Sequence, residues 1–319
     1  MATSRLTRND RTAAAAPAAA PTKQGGGAGP PGEPRRVGYL YVLPALLIYA
    51  AFLLFPLGHS FWISLYDWNG QTLAKWVGFG NYVDIVRDGE LRAAFGHALV
   101  LIVFYSVVPI VLALALTAAM SRARVRGLTF FRTALFLPQV VAMVVVATAW
   151  SAIYAPSGVL NTVLRSIGLG ALAHPWLGDF TWALPSVGLI GTWVEIGLAL
   201  VLFMAGVQRI PRELYEAARL DGAGPVREFF AITLPSLRGE ISVALTLTIV
   251  AALRTFDLVY IATHGGPGTE TTVPAFQVYH RAFETNQVGS ACAIGVTLAV
   301  LILLVTIVVN RLAEGRGDR

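Results

Sequence analysis

Six stretches of this chain are apolar on every face, and its polar residues are gathered into the segments between them. The stretches run approximately from Tyr39 to Leu65, Phe95 to Met120, Ala134 to Tyr154, Leu184 to Val207, Ile241 to Ala262 and Gly289 to Val309. Each reaches the roughly 20 residues a helix needs to cross a bilayer core. The pattern predicts an all-α membrane protein with six transmembrane helices. One polar segment stands apart. Between the fourth and fifth stretches, Glu213 to Leu237 reads ELYEAARLDGAGPVREFFAITLPSL, a run of charge, small side chains and two prolines. At the start of the chain, Met1 to Arg36 is Ala, Pro, Gly and scattered Arg, and is expected to form a disordered tail. That tail has no apolar h-region near its start, so the first span is expected to serve as an uncleaved signal-anchor.

Composition agrees with the pattern. Hydrophobic residues make up 55% of the 319, charged residues only 13%, and mean hydropathy is +0.64, whereas soluble domains carry about a quarter charged residues. A formal charge of +6 does not by itself imply nucleic acid as a partner, because basic residues flanking apolar spans are what membrane topology requires. The distribution of those residues sets an orientation. Six Lys and Arg lie in the tail, four after the second span, five after the fourth and three at the C-terminus, against five on the other side, with Arg254 inside a span. Positive charge favours the cytoplasm, so both termini and the Glu213–Leu237 insert are expected there. The single cysteine, Cys292, excludes an intramolecular disulfide and a cysteine-based metal cluster.

The insert opens as a helix. Pro211 suits a first turn, Glu213 complements the positive helix end and Arg219 the negative one. Asp221-Gly222 is a turn signal, and Pro225 can begin a second short helix carrying Phe229, Phe230 and Ile232. On these signals alone two readings stand, a helix lying on lipid headgroups and a handle for a partner protein. The residue identities choose between them. Glu216-Ala217-Ala218, with Asp221-Gly222, Ile232 and Leu234-Pro235 at their spacings, resembles the EAA motif of ABC importer permeases. The resemblance implies that the insert is a coupling helix docking in a cleft of a cytoplasmic ATPase.

Further elements resemble the carbohydrate, or maltose-type, branch of that family. Phe256-Asp257-Leu258-Val259-Tyr260 followed by Thr263-His264-Gly265-Gly266-Pro267 is similar to its FD…T-GGP segment, and His264 departs from it where glycine is commoner. Arg281-Ala282-Phe283, Gly289-Ser290-Ala291 and Gly78-Phe79-Gly80-Asn81-Tyr82 continue the likeness, which covers about Tyr39 to Leu312. It implies a type-1 permease bundle. It divides the chain into an expected cytoplasmic tail (1–36), the first helix with its external loop (37–94), the permease core with its EAA loop at 213–237 (95–312) and a second expected cytoplasmic tail (313–319). It also implies a bacterial inner-membrane location and three partners: a second, related permease, a dimer of ABC ATPases and an extracytoplasmic sugar-binding protein. A permease for a non-sugar solute and a stand-alone secondary transporter are the alternatives.

The chain carries no G-x-x-x-x-G-K-[ST] phosphate loop, so it is read as non-catalytic, binding no cofactor and metal-free, with ATP and Mg used by the partner ATPase. Substrate-path candidates are ionisable or aromatic residues at membrane depth, where a charge needs a cavity or a partner. Glu195 lies in the fourth span beside Trp193. Arg254 and Asp257, three apart in the fifth, are expected to share a helix face and either pair with each other or serve the path. Tyr260 could offer its ring to a sugar face. The loop Thr263 to Gly289 has the turn chemistry of a capping or re-entrant segment and could dock a delivery protein.

Overall fold

A computed structural model describes residues 35–122 and 127–314, so nearly all of the expected N-terminal tail and the end of the C-terminal one lie outside it. The chain divides into two compact units at Leu54. The first contains α1 (Arg35–Tyr49) and a π-helical turn (Ala50–Leu54). The second begins with α2 (Phe55–Ile63) and a two-residue antiparallel ladder, β1 (Tyr66–Asp67) with β2 (Lys75–Trp76). Then come α3 (Gly80–Arg87), α4 (Gly89–Ile102), a π turn (Val103–Val107) and α5 (Val108–Arg122). Next are α6 (Leu128–Val140), α7 (Met143–Tyr154), α8 (Val159–Ser166) and α9 (Ala183–Val207). The insert supplies α10 (Arg212–Leu220), α11 (Pro225–Glu228) and α12 (Leu234–Ser236). The chain ends with α13 (Arg238–Leu253), α14 (Asp257–Ala262), α15 (Pro274–Tyr279) and α16 (Val288–Glu314).

Five helical stretches are long and apolar enough to cross a membrane: Tyr39–Ile63, Gly89–Met120, Met143–Ser166, Ala183–Val207 and Val288–Leu312. A sixth is a bent pair, Pro225–Ser236 with Arg238–Leu253, meeting at 68°. Two of the six expected spans are therefore discontinuous. The third breaks at Val141 and Ala142, both extended (ψ 136° and 133°). Pro138 removes one donor from the last turn of α6, and the β-branched pair Val140-Val141 accepts extended backbone readily. The fifth stops at Leu253 and resumes at Asp257 after Phe256 adopts φ −131°, ψ −60°.

The second break corrects an expectation. Arg254 and Asp257 do not share a continuous helix face. No ion pair joins them among the described residues, and both side chains are exposed. The pairing rule holds only while the backbone keeps its 3.6-residue turn, and here it does not.

Helix α9 lies at the centre, two-thirds buried over its apolar window. Its N-terminal half packs Val187, Ile190 and Val194 against Leu101, Tyr105 and Leu258; its C-terminal half packs Leu200 and Phe203 against Ile110 and Leu237. Lipid tails are as apolar as leucine, so close packing rather than water exclusion holds such helices together. Small residues on α9 supply the closeness. A Cβ on Gly191 would enter the ring of Tyr105, and one on Gly197 would meet the backbone of Leu135 and Phe136 in α6.

At the opposite end from the insert, the Gly78–Tyr82 element is structural. Buried Asn81 donates to the carbonyls of Ser64 (2.8 Å) and Tyr66 (2.9 Å), closing the end of α2 onto α3. The Thr263–Gly289 segment caps the same end, with Thr271 to Pro274, Phe276 and Gln277 buried. His264 takes φ +50°, a left-handed conformation natural to glycine. Arg281 clamps the cap by donating to Asp88 Oδ2 (2.6 Å) and Ser290 Oγ (2.8 Å).

Asp88 also caps α4 by accepting from the Glu90 N–H (2.9 Å). Partial burial works against its charge, yet the Arg281 and Glu90 hydrogen bonds together hold its carboxyl below the ordinary 3.8. An acid held below its unfolded value adds stability above that value and loses it as pH falls through the folded one. Asp88→Asn keeps a capping oxygen but not the ion pair, and is expected to cost about 1 kcal/mol or less; Asp88→Ala should cost about 1 kcal/mol more. Thermal unfolding of the purified protein would show this order at pH 7. The advantage of the native residue over asparagine should shrink as pH falls below 3.8 and be lost once pH passes the lowered folded value.

Candidate functional site

The insert is two short helical pieces folded back on each other. Pro211 stands at the N-cap of α10, one residue earlier than a first-turn position, with Glu213 in the first turn and Arg219 in the last. The helix ends in a Schellman motif: the Ala223 N–H donates to Ala218 O (2.8 Å) and the Gly222 N–H to Arg219 O (3.0 Å), with Gly222 at φ +76°. Pro225 then starts α11, a π turn (Phe229–Thr233) follows, and α12 leads through Leu237 into the 68° bend.

Two side-chain links close the pair. Tyr215 Oη and Thr233 Oγ1 lie 2.9 Å apart, and Arg219 Nε donates to Glu228 Oε1 at 3.0 Å. Glu228 is buried, so this ion pair is more than a surface contact. The signature residues divide into two sets. Ala217, Asp221 and Gly222 are exposed, as is Glu216, which lines a space facing the bundle, with Ala218 half-buried; Ile232, Leu234 and Pro235 are half-buried. Leu214 and Leu220 extend the exposed face with apolar surface, and Leu220 is 90% exposed.

The substrate-path candidates are not brought together into one cluster. Glu195 is buried, 4% exposed, and its Oε2 has no hydrogen-bond partner. One turn earlier on α9, Gly191 admits Tyr105, whose hydroxyl is likewise buried without a partner. Trp193 points elsewhere, edge-on to Trp150 at 5.5 Å. Tyr260 stacks on Phe256 (5.3 Å), and its hydroxyl approaches that of Tyr279 (3.4 Å). Asp257 is exposed at the start of α14. Tyr105 was not legible as a candidate, because an aromatic in an apolar run carries no mark of burial beside a carboxylate. Among the described residues no group of three or more His, Cys, Asp or Glu could hold a metal ion.

Residues 98–316 match the family model of the binding-protein-dependent transport system inner membrane component. The chain belongs to this family. It is thus an integral membrane permease component of an ABC transport system. It is 37% identical to the probable ABC transporter permease YurN of Bacillus subtilis over 279 residues, 85% of this chain and 92% of that one. It is 34% identical to the diacetylchitobiose uptake system permease NgcF of Streptomyces coelicolor, covering 85% of this chain and 81% of that one. A bacterial ABC transporter that imports the acidic polysaccharide alginate contains a chain of the same fold. Its TM-score is 0.75 at 25% identity, over 89% of this chain and 96% of that one. For this permease, the helical bundle and the ABC importer likeness read from the sequence both stand.

Proposed function

We propose that this permease is half of the translocation pathway of an ATP-driven carbohydrate importer, with Glu213–Leu237 in the cytoplasm as the element a separate ATPase grips. The observation that carries the proposal is the outward face of α10. It is a Schellman-terminated helix, tied back by Tyr215 and Arg219, that leaves Leu214, Ala217, Leu220 and Gly222 exposed. Supporting the sugar substrate are relatives whose names specify diacetylchitobiose and alginate, together with the GGP cap. Closure of two ATPase subunits would pull on this lever and pass the motion through the 68° bend into α13. Both termini would lie in the cytoplasm, and the capped end would face a soluble sugar-binding protein. A second, related permease would complete the pathway. Trp193, Glu195, Asp257 and Tyr260 would meet the substrate or the second permease.

Because Cys292 is the only cysteine, a Cys292→Ser background makes site-specific crosslinking clean. A cysteine at Leu220 is expected to crosslink to the ATPase subunit in the assembled transporter, with a yield that changes between ATP-bound and nucleotide-free states. A probe at Gly78, at the opposite end of the bundle, should not. Absence of any ATPase adduct from Leu220 in every nucleotide state would refute the coupling role.

A further inference from the structure

Between the inner ends of α5, α6 and α9 and the insert lies a cavity of about 690 Å³. Its walls hold Thr117, Arg132, Arg212 and Arg219 and two carboxylates, Glu216 and Glu228, the second of them ion-paired to Arg219. Arg132 is half-buried. Its Nε donates only to the thioether of Met204 (3.2 Å), and no carboxylate among the described residues lies within ion-pair distance of it. A thioether is a weak acceptor for a five-donor guanidinium. The Thr117 side chain is fully buried, lines the cavity, and its hydroxyl has no partner. A cation and a buried donor that both lack acceptors are complementary to an oxyanion.

Beside the cavity lies a second space of different character. A groove of about 500 Å³ shares Ala118 and Phe229 with it and is lined by Val111, Leu114, Val226, Phe230 and Leu234. Val226 and Phe230 are 70% and 60% exposed there. A chamber whose three arginines outnumber its two carboxylates, lying next to an apolar trough, matches an amphiphile whose head is an anion.

We propose that an anionic phospholipid of the cytoplasmic leaflet occupies both spaces, its phosphate at Arg132 and Thr117 and an acyl chain along Val111, Val226 and Phe230. The leaflet assignment rests on the orientation proposed above. Depth agrees with the headgroup level, since Thr117, Arg132 and Met204 stand at the inner ends of three helices. The lipid would sit between the insert and the bundle, touching α5 and α6 on one side and α11 on the other. Its occupancy would stiffen the joint through which the lever moves.

The test uses the complete transporter, permease pair and ATPase together, in nanodiscs of phosphatidylcholine alone or with phosphatidylglycerol. Phosphatidylglycerol should be retained through delipidation and detected by mass spectrometry, and should change the ratio of transport to ATP hydrolysis. Arg132→Gln should lower retention about tenfold, the loss of one charge-assisted contact, whereas Arg132→Lys should keep most of it. Val226→Asp, at an exposed position, should lower retention by putting a charge in the trough. Retention unaffected by both Arg132→Gln and Val226→Asp would overturn the proposal. So would an identical effect of inorganic phosphate in phosphatidylcholine discs, which would assign the chamber to a free anion, or a groove found covered by the second permease. Retained lipid with no effect on the transport ratio would leave the site standing and count against the lever instead.

Discussion

Gly222→Val is expected to reduce coupled uptake at least about tenfold while the chain still inserts and assembles. At φ +76° a Cβ is held close to its own backbone, at a cost of about 1–3 kcal/mol. That cost falls on the Schellman turn, whose two hydrogen bonds fix where α10 ends and α11 begins. It does not fall on packing, because no described residue beyond its chain neighbours lies within 4 Å of the position a Cβ would take. A chain that merely folded around this glycine would tolerate the change, and one whose lever is gripped there would not. Gly222→Asn separates the two components, since asparagine enters the left-handed region more easily but adds bulk. It should restore the turn without restoring full uptake. Uptake and ATP hydrolysis measured in proteoliposomes check both variants, and near-normal uptake by Gly222→Val would sink the coupling mechanism.

Gly197→Ala is expected to destabilise the bundle by about 3 kcal/mol or more, lowering the thermal midpoint by roughly 10 °C. The single added methyl meets the carbonyl of Leu135 and the Cα of Phe136. Both are backbone, so no rotamer change relieves the contact, and α6 must move off α9 as a unit. Tight packing is what holds helices together in lipid, and a gap along this crossing forfeits it over several turns. Gly96→Ala on α4 makes the same chemical change where a Cβ meets nothing within 4 Å, and should be neutral or slightly stabilising. Thermal unfolding of the two variants side by side gives the comparison; equal midpoints would show that the α6–α9 crossing is loose.

The insert was legible because its signals are local. Asp221-Gly222 and Pro225 each constrain their own backbone, and the Schellman turn and the start of α11 fall where those residues stand. The path residues were not legible in the same way. Glu195 and Trp193 are two apart on one helix, yet one is buried beside Tyr105 and the other is exposed and paired with Trp150. Arg254 and Asp257 have helical spacing, and the helix ends between them.

The sequence by itself determined that the chain is a bundle of membrane helices, how many apolar stretches it holds, and where a polar insert interrupts them. Run length, turn residues and motif spacing are properties of neighbours along the chain. Only the tertiary structure decided which spans break, which face of each helix meets protein, and which charges lack partners. Lipid and a packed helix interior favour the same apolar side chains, so composition cannot tell one from the other; three-dimensional contact can.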